Sequence, residues 1–114
     1  MQGYSRRVPI AEIDVNDLAS LLEQDATLVD VRMPDEFEQA RVPGAVLIPL
    51  PELPDRIGEI TAAGDLYVIC KSGARSARAC EFLTARGRNA INVAGGTLAW
   101  VESGRPTDTG PIGG

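Results

Sequence analysis

The chain has 114 residues, 44% of them hydrophobic and 24% charged, with a net charge of −5 and no histidine. That length allows one domain with one core, and the acidic balance argues against a general binder of nucleic acid or anionic membranes. No apolar run approaches the roughly 18 residues of a membrane span. The opening "MQGYSRRVPI" lacks the apolar stretch of a secretory signal, so a cytoplasmic location is expected.

In chain order, "EIDVNDLASLLEQ" offers Asp14 as an N-cap, followed by Val15, Leu18, Leu21 and Leu22 at helical spacing. "TLVDV" (27–31) is a β-branched run with no helical period, hence a buried strand. Met33-Pro34 turns the chain into a brief acidic helix, "DEFEQA". "VPGAVLIPL" carries a turn at Pro43-Gly44 and a short strand at 46–48, and "PELPDRIGEI" reads as helical turns with prolines at their starts. "DLYVIC" (65–70) is the next strand. Residues 75–86 form a helix with Ala77, Cys80, Phe82 and Leu83 on its apolar face, stopped by Gly87. "AINV" (90–93) is a strand, Gly95-Gly96 breaks the chain, and a last helix runs from about Leu98 to Glu102. The domain is expected to span 1–107, with a frayed tail over 108–114. Strands alternating with helices make an α/β domain with a mostly parallel sheet. Ligands of such sheets bind outside the carboxyl ends of the strands.

Cys70 occupies such an end. A free thiol titrates near 8.5, and a helix N-terminus or nearby cations lower that value. Without histidine a Cys-His pair is impossible. Activation therefore falls to inward-pointing amides of residues 71–76, with Lys71 and Arg75 as rim cations. Gly73 lets the backbone turn in, Ser72 and Ser76 add hydroxyl donors, and Ala74 completes the loop. Five cations, Lys71, Arg75, Arg78, Arg86 and Arg88, lie between residues 71 and 88, with Glu81 the only acid. They are either a solvated helix face or a field for an anionic substrate. Such a site suits sulfur transfer through a persulfide. Cys80, on the apolar helix face, is expected to be core packing. A disulfide between the two is not expected, nor is a zinc site, and no cofactor is implied.

Four stretches together resemble the single-domain rhodanese (thiosulfate sulfurtransferase) family. "CKSGARS" is similar to its active-site loop, "LVDVRMPDEF" to its Asp-Val-Arg strand end followed by Glu-Phe, "VPGAVLIP" to its Pro-Gly-Ala turn, and "VAGGTLAWVESGRP" to its Gly-Gly-x-x-x-Trp signature. The resemblance implies a three-layer α/β/α fold around a five-stranded sheet. It makes Cys70 the sulfur carrier and 71–76 its cradle. Asp30, Arg32 and Glu36 become structural support, with Arg32 paired to Glu36, and Trp100 a core anchor. Implied partners are thiosulfate as donor and a thiol acceptor such as thioredoxin or glutathione, or cyanide. One departure stands out: Ala40-Arg41 replaces the Gly-His common before the Pro-Gly turn.

Three other readings remain open. The fold also hosts phosphatases, but their loop is one residue longer and usually follows a histidine, whereas Ile69 precedes Cys70 here. A non-catalytic binding module would not need the cysteine. A persulfide relay to a sulfur-carrier or tRNA-thiolation partner uses the same chemistry, and the Gly113-Gly114 ending is taken as chance.

Overall fold

A computed structural model describes residues 10–61 and 64–111. The readings of the N-terminal nine residues and of Gly113-Gly114 lie outside the described residues.

Five strands, β1 (Ala11–Ile13), β2 (Thr27–Asp30), β3 (Val46–Leu47), β4 (Leu66–Ile69) and β5 (Ala90–Val93), form one sheet in the order β1-β5-β4-β2-β3. Every pairing in it is parallel. The helices are α1 (Val15–Leu22), α2 (Pro34–Gln39), α3 (Leu53–Arg56), α4 (Ala74–Ala85) and α5 (Gly96–Glu102), with 3-10 turns at Leu50–Glu52 and Ile57–Glu59. This is the expected α/β fold with a five-stranded parallel sheet.

Alternation along the strands sorts the core onto two faces. Leu66, Val68 and Cys70 turn to one side with Val29, Leu53, Ala79, Cys80 and Leu83, so α3 and α4 cover it. Tyr67, Ile69 and Val93 turn to the other with Leu18 and Trp100, covered by α1 and α5. Two helical layers therefore sandwich the sheet. Asp14 caps α1 as expected, its carboxylate accepting the Asp17 amide at 2.9 Å.

The order of strands places the site. β2 leads outward to β3, whereas β4 leads back to β5, so the loops after β2 and β4 diverge and leave a crevice between them. The residues after β2 are Val31 to Met33; those after β4 are Cys70 to Gly73.

Two differences from the sequence reading have local causes. β1 was not foreseen, because three residues at a sheet edge, two of them exposed, carry no readable period. Where a frayed tail was expected, Arg41 and Asp108 exchange backbone hydrogen bonds at 2.9 and 3.0 Å, and Gly110 donates to the Glu38 carbonyl at 2.8 Å. The Arg41 side chain, part of the Ala40-Arg41 departure, adds a bond to the Gly110 carbonyl at 2.9 Å.

Gly95 and Gly96 both have positive φ, and α5 starts against the end of β4. A Cβ on Gly96 would lie 2.5 Å from the Lys71 carbonyl oxygen and 2.6 Å from that of Cys70. Gly96→Ala is therefore expected to cost about 2–3 kcal/mol in urea unfolding. Gly104→Ala, at φ +79° with open space around it, should cost about 1 kcal/mol. Equal losses would mean that the close approach contributes nothing.

Candidate active site

Cys70 follows the last residue of β4, and strand alternation aims its side chain at the face that α4 covers. It is 1% exposed. A thiol buried there without donors would stay protonated, because burial penalises the anion. Burial does push Cys70 upward, but the Ser76 hydroxyl and the amides of Ser76, Gly73 and Ser72 outweigh it and hold the thiol below its ordinary value. The Gly73 amide donates to Sγ at 3.1 Å and the Ser76 hydroxyl at 3.2 Å. Gly73, at φ +117°, is the residue that turns the loop into α4.

Amides that point in leave carbonyls that point out. The Cys70 carbonyl accepts from the Thr97 amide at 2.9 Å and from the Thr97 hydroxyl at 3.0 Å, and the Lys71 carbonyl accepts from the Leu98 amide at 3.0 Å. The first turn of α5 thus holds the back of the loop. Thr97 was not singled out in the sequence, and nothing in a Gly-Gly-Thr stretch marks that role.

Across the crevice, the pairing of Arg32 with Glu36 must be corrected. Arg32 is fixed on Asp30, with Nη2 2.8 Å from Oδ2 and Nε 3.0 Å from Oδ1. Both residues are buried. Arg32 reaches Glu36 only through that residue's carbonyl oxygen, at 3.3 Å, and also bonds the Ala40 carbonyl at 2.8 Å. It braces the start and end of α2. The carboxylate of Glu36 instead takes both arms of Arg75, at 2.7 and 2.9 Å. That bidentate pair ties α2, which follows the β2 loop, to the first turn of α4, which follows the β4 loop. The Arg75 hydrogen bond, against some burial and with help from the Met33 amide, holds Glu36 at about 2.

The five cations of 71–88 separate. Lys71 is exposed at the loop and Arg75 is half-buried on Glu36. Arg86 and Arg88 lie beyond the far end of α4, whose 12 residues span about 18 Å. There Arg86 stacks on the Phe82 ring and Arg88 bonds the Ile60 carbonyl at 2.9 Å. Arg78 is exposed on α4, and of the five only Lys71 and Arg75 stand at the loop end of α4, beside the thiol. Cys80, fully buried on α4 without such donors, is pushed up to about 12 by burial. Both cysteines are free. Among the described residues no cluster of metal ligands is present, and no helix is long and apolar enough to cross a membrane. A cleft lined by Arg32, Glu36, Lys71, Thr97, Leu98 and Val101 opens beside the loop, with Leu98 and Val101 each 46% exposed.

The model of the rhodanese-like domain family matches residues 14–103. A sulfurtransferase of Allochromatium vinosum is 38% identical over 100 residues, covering 85% of this chain and 94% of its own. Thiosulfate sulfurtransferase 18 of Arabidopsis thaliana is 31% identical over 115 residues, covering 88% of this chain and 85% of its own. The crystal structure of a rhodanese-related protein from Thermoplasma volcanium superposes with a TM-score of 0.80 at 34% identity, covering 85% and 96%.

The Arg75–Glu36 tie has a pH signature. Glu36 in the folded state, at about 2, lies below its ordinary 4.5. Its contribution is therefore complete above about pH 4.5 and fades as pH falls towards 2. With side chains 36% and 26% exposed, solvent limits it to about 1 kcal/mol. Glu36→Gln should unfold more easily than wild type by that amount at pH 7, with most of the gap gone at pH 2, read by urea titration. A gap that persists in full at pH 2 would assign the loss to something other than the ion pair.

Proposed function

The chain belongs to the rhodanese-like domain family, and on that premise we propose that it moves a sulfane sulfur from thiosulfate or a related donor to a thiol or cyanide through a Cys70 persulfide. The observation that carries this reading is the sulfur of Cys70 held by the Gly73 amide and the Ser76 hydroxyl, with its titration lowered. The Cys70 thiolate attacks the outer sulfur of thiosulfate. The donor's S–S bond breaks, and sulfite leaves with the electron pair. The persulfide anion takes over the loop donors that held the thiolate. An acceptor thiolate or cyanide then attacks the outer persulfide sulfur, and Cys70 leaves as the thiolate again.

A phosphatase reading fits less well. Four residues separate Cys70 from Arg75, one fewer than the phosphatase loop, and the Arg75 guanidinium is turned to Glu36 rather than over the cradle. Aryl phosphate hydrolysis should stay at background. The same engagement of Arg75 leaves Lys71 as the rim cation to meet the oxyanion end of the donor.

With thiosulfate, the protein should gain one sulfur atom by mass, removable by cyanide. Cys70→Ser should abolish adduct and turnover, and Cys80→Ser should keep both; the reverse result would exchange the two thiols. Lys71→Ala should raise the thiosulfate KM about tenfold with little change in kcat, the pattern of uniform binding lost. Arg75→Ala, which also frees the loop from α2, should lower kcat as well. An unchanged KM for Lys71→Ala would remove that residue from the donor site.

A further inference from the structure

We infer that Asn92 is a positioning residue of this site, which steers the single proton of Ser76 onto the sulfur of Cys70 by occupying the carbonyl that competes for it. The inference rests on Cys70 being the sulfur-carrying thiol. Asn92 lies in β5, 1% exposed, in register with Glu12 of β1 and Val68 of β4. A sheet interior normally takes an apolar side chain at such a place. Its Nδ2 donates to Glu12 Oε2 at 2.8 Å and to the Gly73 carbonyl at 3.2 Å. Both partners are acceptors, so the amide nitrogen must face them. Oδ1 is buried with no partner among the described residues. A half-satisfied buried amide is costly, and what it secures is the peptide of Gly73.

That peptide is shared between two tasks. Its N–H donates to Cys70 Sγ at 3.1 Å. Its carbonyl faces three donors: the Ala77 amide at 3.1 Å, Asn92 at 3.2 Å and the Ser76 hydroxyl at 3.2 Å. A carbonyl oxygen has two lone pairs, so Ala77 and Asn92 fill it. Ser76 stands 3.2 Å from Sγ as well as from that oxygen. Its one proton then goes to the sulfur. Without Asn92, the carbonyl regains an open lone pair, the hydroxyl turns to it, and the thiolate loses a donor.

The charged and titratable groups around the thiol are Lys71 on the loop, Arg75 of α4 held by Glu36 of α2, Asp30 neutralised by Arg32 after β2, Cys80 on α4, and Glu12 on β1 beyond Asn92. Removing the Asn92 side-chain amide changes none of these charges. The test is iodoacetamide alkylation of Cys70, followed by mass against pH, in wild type, Asn92→Leu, Ser76→Ala and the double variant. Asn92→Leu should raise the midpoint by about 0.5–1 pH unit, a threefold to tenfold fall in the thiol's acid dissociation constant. Ser76→Ala should raise it at least as much, and the double variant no further than Ser76→Ala alone. An unmoved midpoint in Asn92→Leu, or shifts that add in the double variant, would overturn the inference. Should Asn92→Leu not fold, Asn92→Thr, well suited to a strand but too short to reach Gly73, replaces it with the same expectations. A merely structural Asn92 would lower the thermal midpoint and leave the titration and its dependence on Ser76 unchanged. Alkylation needs no sulfur donor, so a protein that fails to take sulfur from thiosulfate can still pass or fail this test.

Discussion

The bonds from the first turn of α5 to the carbonyls of Cys70 and Lys71 are those on which the rest of the site depends. A thiolate with 1% exposure is tolerable only if amides surround it, and a loop that turns its amides inward must turn its carbonyls outward. Those carbonyls are buried against the protein and need donors of their own. Thr97 and Leu98 supply them, and they come near enough only because Gly96 has no Cβ to strike the same carbonyls. The Gly-Gly before α5 is thus part of the thiol's environment. Asn92 does the same service two residues further along, at the carbonyl of Gly73.

The crevice is closed from the other side by charge. Diverging loops at the β2–β4 boundary have no shared backbone ladder beyond the Val31 amide, which donates to the Ile69 carbonyl at 3.0 Å. Side chains therefore hold them: Arg32 on Asp30 stiffens the β2 loop, and Arg75 on Glu36 spans the gap. These two pairs cancel most of the charge at the site. Lys71 is left exposed at the rim of the loop.

Much of this was legible in the residues. The three longer strands are short β-branched runs, and buried strands of a parallel sheet read in that way. Asp14, Gly73 and Gly96 mark caps and turns by their own conformational preferences. Most of the unread parts depend on partners distant in sequence. Arg32 and Glu36, four apart, invite a helical pairing, yet Arg32 precedes the helix and so turns back to Asp30, while Glu36 finds Arg75 39 positions away. Glu12 and Asn92 meet only because β1 adds to β5, and a three-residue edge strand gives no pattern to announce that. The stretch 108–110 looked loose because its Asp, Thr and Gly are turn residues, whereas Arg41 and Glu38 hold Asp108 and Gly110 by hydrogen bonds.

The two cysteines give the clearest separation of causes. Cys70 and Cys80 are 1% and 0% exposed and belong to the same core cluster. Burial acts on both thiols in the same direction, upward. Yet one titrates below its ordinary value and the other is pushed up to about 12. The difference is therefore in hydrogen bonding. Ser76 and Cys80 stand one helical turn apart on α4, and the inner-turn amides and hydroxyl at the helix start are spent on Cys70, whereas the amides one turn further in are bound within the helix. Position relative to a helix N-terminus decides which thiol is held below its ordinary value. In a chain with no histidine, no imidazole could make up the difference.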